Sequence, residues 1–381
     1  MKMELPPSAG CDPRARIGFV LPDLRGGGAE RVMVTLAREF AALGYRPHFL
    51  LAKAQGELLH EVRAARYGVS DLGADRLRHM VGPLRAWLRS ENPAALIPAM
   101  WPVTSLSVLA ASGTGVPVIT TDHATLSAQY RPKGWLHMAL LRASIRATYP
   151  RAAANVSVSR GAAKDLEQLG WLSDGRVETI HNPVPRPVFS GPPAKWPNGR
   201  RHRLLAVGGL RWQKDYPTLL HAMRQLIDQG VDAELVVLGD GPDRSDLIAT
   251  ASRLGVEGHV CFAGYAQTPG AYYDSADLFV LSSKSEGFAN VLVEALSYGL
   301  PVVSTDCPHG PAEILENGRH GALVPPGNAP ELAKAIKDTL AAAPDPDAAR
   351  QRARAFRPSV AATRLAAMVP ALAGLQAGED R

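Results

Sequence analysis

The sequence of 381 residues contains only three cysteines, and they lie far apart, at Cys11, Cys261 and Cys307. Their number is odd and no two of them have the short spacing of a zinc site or a disulfide framework, which favours a reducing compartment. No apolar run approaches the roughly 18 residues of a membrane span, and the first ten residues lack the apolar segment of a signal peptide. We therefore expect a cytoplasmic protein that is neither secreted nor threaded through a bilayer.

Several motifs of cofactor chemistry are also missing. No Asp-x-Asp pair stands at the end of an apolar strand where it could hold a divalent ion, and no His or Cys cluster has ligand spacing. Neither half contains G-x-G-x-x-G followed by an acidic residue about 20 positions later, which argues against an NAD-dependent oxidoreductase. The sequence therefore predicts no bound metal and no cofactor.

The charge is unevenly distributed along the chain. The net charge is +6, but residues 1–190 hold 23 Lys and Arg against 15 Asp and Glu, whereas the remaining residues hold 19 against 21. This asymmetry suggests an anionic partner for the N-terminal half, either a membrane surface or an acidic substrate, with ordinary solubilising charge as the alternative. No feature indicates nucleic-acid binding.

Length and apolar patterning predict two α/β domains. A chain of this length exceeds the size of one hydrophobic core. Apolar runs at 16–22, 47–52, 94–100, 117–123 and 154–159 alternate with helical patterns, the first of which stops at Gly44, and a similar series starts again at residue 203. Such alternation is typical of a parallel sheet covered on both faces. The Pro- and Gly-rich stretch 182–202 reads as a linker, so we predict domains over 1–190 and 191–358, with a C-terminal helix in 359–381 that could cross back to the first domain.

A glycine-rich loop, RGGGAER at 25–31, joins the first predicted strand to the first predicted helix. The backbone NH groups of such a loop and the positive end of the helix dipole suit a phosphate. A tight turn needed only for packing is the alternative interpretation.

The second half carries two comparable loops. In VGGLRWQKDYPTLL, Arg211 and Lys214 lie at the carboxyl end of a strand, where ligands of α/β folds bind, and two cations there suit a diphosphate. In VLGDGP, the residues Asp240 and Gly241 follow another strand, where a missing side chain lets a ligand approach the backbone. A structural turn explains VLGDGP equally well.

The most specific stretch is SSKSEGFANVLVEALSYGLPVVSTD, beginning at residue 282. Glu286 ends a loop between strand and helix, and Glu294 lies eight positions further on, within the helix. Backbone NH groups at the start of that helix could hold a phosphate. Together a carboxylate at the site, phosphate-binding amides and a second carboxylate able to accept two hydroxyl groups describe a nucleotide-sugar site.

This arrangement resembles glycosyltransferase family 4, whose members carry two glutamates in an E-G-F-x-N-x-x-x-E setting, and the likeness extends from GGGAER to GALVPPGN at 321–328. The resemblance implies an α/β protein of the GT-B fold, with two Rossmann-like, doubly wound domains facing each other across a cleft. It places Glu286 near the hydroxyls of the transferred sugar, Glu294 on the ribose and Lys214 on the diphosphate. The predicted donor-binding residues are Gly27, Gly28, Arg211, Lys214, Asp240, Gly241, Glu286, Gly287, Phe288, Ala289, Asn290, Val291 and Glu294.

Two places depart from the family pattern. The family often has Arg where this chain has Gly209, and we expect Arg211, two residues later, to replace that charge. His123 matches a position of the first domain that is often Glu-His-Asn, but Asp122 and Ala124 flank it here. We predict that His123 contacts the sugar, and we assign it with Lys214 and Glu286 to the catalytic set.

The resemblance implies a hexosyltransferase-like enzyme that retains anomeric configuration without a metal and takes a UDP- or GDP-sugar as donor. The acceptor would be a glycan, lipid-linked or part of a cell-surface polysaccharide. Residues 131–151 alternate basic and apolar side chains, which predicts contact with an anionic membrane at its inner face, or else ordinary packing on the first domain. A sugar-nucleotide epimerase or hydrolase and a non-catalytic nucleotide-sugar-binding protein remain as alternatives.

Overall fold

The computed structural model describes residues 16–186, 189, 194–266 and 268–368. These residues form two compact units, which are described separately: the first contains residues 16–158, 162–183 and 358–368, and the second contains 159–161 and 184–357. Part of the predicted linker at 182–202 lies outside the described residues. Residues 369–381 of the predicted C-terminal helix and Cys11 lie outside them entirely. Cys261 and Cys307 are free thiols.

The first unit is built on parallel strands. Strands β1 to β4 form one hydrogen-bonded sheet in the order β3-β2-β1-β4, and β5 to β7 form another in the order β5-β6-β7. Single parallel bridges, Leu96 to Val118 and Ala99 to Thr121, connect the two and give the order 3-2-1-4-5-6-7. The strands are β1 (Arg16–Leu21), β2 (Arg46–Leu51), β3 (Gly68–Asp71), β4 (Ala95–Pro98), β5 (Ile119–Asp122), β6 (Ala154–Ser157) and β7 (Val177–Thr179).

Helices cover both faces of this sheet. They are α1 (Gly28–Ala42), α2 (Leu59–Ala64), α3 (Val81–Glu91), α4 (Val103–Ala111), α5 (Leu126–Tyr130), α6 (Trp135–Thr148) and α7 (Arg160–Gly170). Alternate residues of β1 point to opposite faces, so Phe19 packs with Phe40 of α1, whereas Val20 belongs to a second cluster with Leu84 of α3. Helix α1 ends before Gly44, whose positive φ of 87° reverses the chain.

The second unit has one six-stranded parallel sheet in the order β10-β9-β8-β11-β12-β13. Its strands are β8 (His202–Val207), β9 (Ala233–Leu238), β10 (Val260–Gly264), β11 (Leu278–Leu281), β12 (Val302–Thr305) and β13 (Ala322–Val324). The chain goes outward from β8 through β9 and β10 and then returns to the other side of β8 as β11. The loops after β8 and β11 therefore lie at the point where the strand order reverses, which is where open α/β sheets bind ligands.

The helices of the second unit are α8 (Tyr216–Asp228), α9 (Arg244–Arg253), α10 (Gly270–Ser275), α11 (Asn290–Tyr298), α12 (Pro311–Ile314), α13 (Ala329–Ala341) and α14 (Pro346–Arg354). Met223 of α8 and Ile336 of α13 share one apolar cluster with the buried strands. Near α10 and α11, the rings of Tyr273 and Phe279 stack with centroids 5.9 Å apart. The predicted class of doubly wound α/β domains is thereby confirmed.

The chain ends its described part with α15 (Pro358–Ala367), which belongs to the first unit. Ala362 and Leu365 of this helix join the same apolar cluster as α1. None of the helices in the described ranges is long and apolar enough to cross a membrane.

Candidate functional site

The loop after β8 places Lys214 at the edge of the second sheet. It runs through Gly208 and Gly209 to a short 3-10 turn, Trp212–Lys214, before α8 begins. A side chain on Gly208 would come within 2.8 Å of Lys214 Cε, so this glycine makes room for the lysine stem. The hydroxyl of buried Tyr216 donates to the carbonyl of Gly208 at 3.0 Å and fixes the loop against the start of α8.

Lys214 and Glu286 form an ion pair across the point where the strand order reverses. Lys214 Nζ lies 2.7 Å from Glu286 Oε1, and the two side chains are 21% and 12% exposed. Ser283 also donates its hydroxyl to Oε1, at 2.6 Å. Both contacts fall on Oε1, and Oε2 accepts no hydrogen bond from the residues that the structure describes, which leaves this oxygen to a ligand hydroxyl. The structure thus brings together these two predicted site residues, 72 positions apart in the chain.

The loop between β11 and α11 contains the predicted amides. Phe288 and Ala289 have buried side chains, and the Phe288 ring packs on Phe356 with centroids 5.5 Å apart, which holds the loop down. The backbone NH groups of Gly287, Ala289 and Val291 donate no hydrogen bond within the described ranges. Donors of this kind at the start of a helix suit an anion.

Glu294 lies in α11, about one turn after its first residue, Asn290. Its Oε2 accepts the hydroxyl of Tyr273 at 2.8 Å. Burial raises the pKa of Tyr273 well above its ordinary value, and the nearby Glu294 carboxylate raises it further, so this hydroxyl remains a donor. The contact orients the carboxylate that the sequence assigns to a ribose.

The Gly-Asp-Gly loop after β9 packs on the loop after β8. Side chains on Gly239 and Gly241 would overlap the backbone of Gly208 and Leu210 respectively, and Leu210 donates its NH to the carbonyl of Asp240 at 3.0 Å. Neighbouring backbone, rather than open space, therefore lies beside both glycines. Close packing of the two loops accounts for both glycines, and the assignment of Asp240 and Gly241 to donor binding stays a prediction.

Arg211 is exposed and forms no ion pair within the described part of the chain. It lies three residues before Lys214 in the same loop, so this loop carries a second cation besides Lys214. The exposed carboxylate of Asp240 is directed toward its own loop, where its Oδ1 accepts a hydrogen bond from the backbone NH of Gly241 at 2.8 Å.

In the first unit, the glycine-rich loop leads into α1. Gly27 is the N-cap residue, and a side chain there would collide with the carboxylate of Glu30, whose pKa is raised mainly by burial. At Gly28 an added side chain would meet nothing within 4 Å. Gly28 therefore borders open space, as a residue that lets a ligand approach the backbone should.

His123 follows β5 in the first unit, and both of its ring nitrogens face protein oxygen atoms. Nε2 lies 3.1 Å from Thr121 Oγ1, and Nδ1 lies 3.3 Å from Asn182 Oδ1. Burial lowers the pKa of His123 to about 4, although the Asn182 contact opposes the shift. The imidazole is therefore neutral near pH 7 and is held in place by its neighbours.

Asp122, one of the departures from the family pattern, points into the first unit. Its Oδ2 accepts the buried hydroxyl of Tyr149 at 2.7 Å, which in turn lies 2.9 Å from Thr104 Oγ1. Burial raises the pKa of Asp122 to about 7, against the lowering effect of the Tyr149 hydrogen bond. This residue contributes to the interior rather than to a ligand surface.

The residues described contain no cluster of three or more His, Cys, Asp or Glu side chains that could hold a metal ion. The sequence analysis did not identify three residues near the Lys214–Glu286 ion pair, which are Ser283, Asp215 and Lys284. Lys284 Nζ lies 2.9 Å from Asp215 Oδ1.

Family models match both halves of the chain. The one described as Glycosyltransferase Family 4 covers residues 26–186, and the one described as Glycosyl transferases group 1 covers residues 201–342. The first match includes Gly27, Gly28 and His123, and the second includes Lys214, Glu286 and Glu294.

Curated relatives are similar to this chain over part of its length. The lipopolysaccharide core biosynthesis glycosyltransferase LpsE of Rhizobium meliloti (strain 1021) is 33% identical over 181 residues, which cover 48% of this chain and 52% of that protein. The N-acetylgalactosamine-N,N'-diacetylbacillosaminyl-diphospho-undecaprenol 4-alpha-N-acetylgalactosaminyltransferase of Campylobacter jejuni is 29% identical over 192 residues, covering 50% and 52%. The chain thus spans about half the length of the curated relatives it matches.

Among solved structures, Anabaena HepE in complex with UDP-glucose is similar with a TM-score of 0.72 and 18% identity, covering 96% of this chain and 99% of that one. At this identity the likeness shows the fold alone. The two family matches, the two doubly wound units and this structural likeness agree with one another. The chain therefore combines a Glycosyltransferase Family 4 region with a Glycosyl transferases group 1 region and has the GT-B fold.

Proposed function

We propose that this protein is a retaining glycosyltransferase that moves a sugar from a nucleoside diphosphate donor to a glycan acceptor without a metal. The observation that carries the proposal is the Lys214–Glu286 pair, 2.7 Å apart and largely shielded from solvent, next to backbone NH groups that donate to no acceptor among the described residues. A cation and amides suit a diphosphate, and a carboxylate with one free oxygen suits a sugar hydroxyl.

In the donor complex Lys214 would exchange its contact with Glu286 for an oxygen of the diphosphate. The bond from the anomeric carbon to the leaving phosphate oxygen breaks through an oxocarbenium-like state, and negative charge grows on that oxygen. Lys214, Arg211 and the NH groups before α11 would stabilise this charge, so the site's own residues supply the electrostatics that a metal supplies elsewhere. Glu286 would then be released to orient the sugar, and Glu294 would hold the ribose.

Retention is proposed to proceed by attack of the acceptor hydroxyl on the face from which the diphosphate leaves. In the donor complex Glu286 would keep the hydrogen bond from the Ser283 hydroxyl, which suits a group that orients the sugar rather than a nucleophile. Product analysis by NMR tests this: the new linkage should keep the anomeric configuration of the donor. An inverted linkage, or a trapped covalent glycosyl-enzyme, would overturn the proposed mechanism.

His123 is proposed to contact the transferred sugar as a neutral imidazole. Because its pKa is about 4, it carries no charge over the pH range in which the enzyme is expected to work. His123→Asn should lower kcat/KM by a similar factor at every pH between 6 and 8. A change in the shape of the pH profile would instead assign His123 to proton transfer.

For the donor and acceptor, the proposal follows the similar proteins. The HepE structure contains UDP-glucose, LpsE is named for lipopolysaccharide core biosynthesis, and the name of the Campylobacter enzyme gives a diphospho-undecaprenol-linked sugar as the molecule it acts on. We infer a UDP- or GDP-sugar as donor and a lipid-linked or cell-surface glycan as acceptor.

A lipid-linked acceptor would bring the protein to the inner face of the membrane, and helix α6 is the proposed contact. Leu141 and Ile145 of this helix are buried in the first unit, whereas Leu136 and Leu140 are exposed and Trp135 is 81% exposed. Residues 131–151 contain five Lys and Arg and no Asp or Glu. An exposed apolar ridge with only basic charge suits an anionic bilayer.

Two further features extend this surface. Trp171 is 73% exposed and lies under the guanidinium of Arg146 from α6, with 4.6 Å from Cζ to the ring centroid. Arg131 and Arg142 line a cavity of about 520 Å³ together with Trp135. The arginines are therefore placed among aromatic side chains, where headgroup phosphates would meet them.

Sedimentation with vesicles tests the membrane contact. The protein should bind vesicles containing phosphatidylglycerol at low salt, and Leu136→Ser combined with Leu140→Ser should weaken binding by roughly tenfold. Leu109→Ser, which removes an exposed leucine of α4, serves as the matched control and should bind like wild type. Equal binding by all three proteins, or none by wild type, would refute this contact.

A further inference from the structure

The loops after β8 and β11 are joined residue by residue around the Lys214–Glu286 pair. Lys284 donates its backbone NH to the carbonyl of Gln213 at 2.8 Å, and Ser282 donates its hydroxyl to the carbonyl of Lys214 at 2.8 Å. Next along the chain, Asp215 receives the ammonium of Lys284 at 2.9 Å. Three consecutive residues of one loop are therefore fixed to the other.

Asp215 has a backbone conformation that is unusual for a residue with a side chain. Its backbone is left-handed, with φ 47° and ψ 44°, a region that glycine occupies at no steric cost. Aspartate is one of the few other residues that adopt this region, because its short carboxylate can hydrogen-bond to nearby groups. The side chain is only 3% exposed, with Oδ1 paired to Lys284 and Oδ2 accepting the Thr218 hydroxyl at 2.7 Å.

Ordinary helix capping does not explain Asp215. It occupies the N-cap position of α8, yet its side chain accepts no backbone NH of that helix. One carboxylate oxygen is instead directed across to the loop that carries Glu286. Lys284 is two residues before Glu286, and Asp215 directly follows Lys214, so the Asp215–Lys284 pair joins the chain next to both members of the candidate catalytic pair.

We propose that Asp215 and Lys284 are positioning residues, whose ion pair sets the separation of Lys214 and Glu286 and so prepares the site for a nucleoside diphosphate. The inference rests on the proposed function. Neither residue contacts Lys214 Nζ or the Glu286 carboxylate, so they act through the two loops. Without the Asp215–Lys284 pair, the two loops would be joined by the Ser282 and Lys284 hydrogen bonds and by the Lys214–Glu286 contact itself, and Lys214 would sample positions away from Glu286 more often.

The test uses the full-length protein and two measurements. The first is the rate at which an amine reagent acetylates Lys214, followed by mass spectrometry, because a lysine held against a carboxylate reacts slowly. The second is the dissociation constant of UDP and GDP by calorimetry. The variants are Asp215→Asn, which tolerates the left-handed backbone and can still accept from Thr218, and Lys284→Met, which keeps most of the side-chain volume.

Both variants should acetylate Lys214 severalfold faster and weaken UDP or GDP binding by about tenfold, the size of a partly exposed pairwise coupling. The double variant should behave like either single variant, since each removes the same ion pair. Lys284→Arg should restore the behaviour of wild type. Lys334→Met, which breaks an exposed ion pair with Asp338 on α13, is the control and should change neither measurement.

A purely structural role would lower the melting temperature of Asp215→Asn and Lys284→Met while leaving acetylation and nucleotide affinity unchanged below the melting range, and this result would overturn the inference. A different failure identifies the proposed function as wrong. If Lys214 acetylation responds as expected but wild type binds neither UDP nor GDP, the positioning of Lys214 by this ion pair stands and the proposed glycosyltransferase donor site falls.

Discussion

Replacing Lys214 by Met removes the ammonium that we place on the donor diphosphate and keeps most of the aliphatic stem. Lys214 Nζ lies 2.7 Å from Glu286 Oε1, so it occupies a site where opposite charges meet at contact distance and where the side chains are mostly shielded. Two unit charges about 4 Å apart interact by roughly 4 kcal/mol at an effective dielectric constant of about 20. Partial exposure of Lys214 lowers this value, so we expect a loss of about 3 to 4 kcal/mol in transition-state stabilisation, or about 10² to 10³ in kcat/KM.

The assay is release of nucleoside diphosphate from the donor that wild type turns over, at saturating acceptor. Because the charge on the leaving diphosphate grows during reaction, kcat should fall along with kcat/KM rather than KM alone rising. The control is Lys334→Met, which removes a lysine from the surface of the same unit and should react like wild type. A Lys214→Met enzyme within threefold of wild type would refute the assignment of Lys214 to the diphosphate.

Three further substitutions separate the roles of the candidate residues. Glu286→Gln frees the ammonium of Lys214, so UDP or GDP should bind at least as tightly as in wild type while turnover falls by about 10² or more; weaker nucleotide binding would contradict this. Asp122→Asn should become progressively more stable than wild type as pH rises from about 4 to 7, by up to about 1.4 kcal/mol per pH unit, and the difference should be constant above pH 7. The direction follows because the raised pKa of Asp122 means that the folded wild type binds a proton more tightly than the unfolded chain, so raising the pH destabilises wild type and not the variant. Urea unfolding at pH 5 to 8 measures the difference in unfolding free energy, and a difference that does not depend on pH would refute this prediction. Gly28→Ala should not lower the melting temperature, since its side chain meets nothing within 4 Å, but should lower kcat/KM by roughly tenfold, because the added methyl group would occupy the open space beside the backbone that we propose for a ligand; full activity would remove Gly28 from the predicted donor-binding residues.

Most of the strands that the sequence predicts are largely buried, although the predicted strand β10 lies at a sheet edge and has one buried residue of five. All six residues of β9 are buried, for example, so AELVVL reads as one apolar run. The strands that it misses are β3, β7 and β13, which have three or four residues each and lie at the edges of their sheets. An edge strand packs on fewer neighbours, so it needs no continuous apolar run that a sequence pattern could reveal.

Local motifs identify site residues, but they do not reveal the contacts between loops. Glu286 and Lys214 can be identified because each lies in a loop that follows a strand and carries a sequence motif of the family. Their 2.7 Å contact depends on β11 pairing with β8, which no local pattern determines. For the same reason Asp215 and Lys284 look like ordinary surface charges in the sequence, and their ion pair emerges only when the two loops meet.

Interpretations of small residues and of departures from the family pattern also depend on tertiary packing. A missing side chain at Gly241 admits either a ligand or another segment of chain, and the structure places the backbone of Leu210 there. Asp122 stands beside His123 in the sequence, yet its carboxylate points inward to Tyr149. Residue type and spacing do not distinguish these alternatives, because only the fold determines what lies next to each residue.

The measurement that tests the central claim most directly is a donor screen with the purified protein. UDP-, GDP- and ADP-sugars are each incubated with EDTA, with and without a membrane lipid extract, and the released nucleoside diphosphate is quantified. We predict release from a UDP- or GDP-sugar that depends on the extract and survives EDTA. Release that EDTA abolishes would contradict metal independence, release that needs no acceptor would indicate a hydrolase, and no turnover of any donor would contradict the proposed transferase activity.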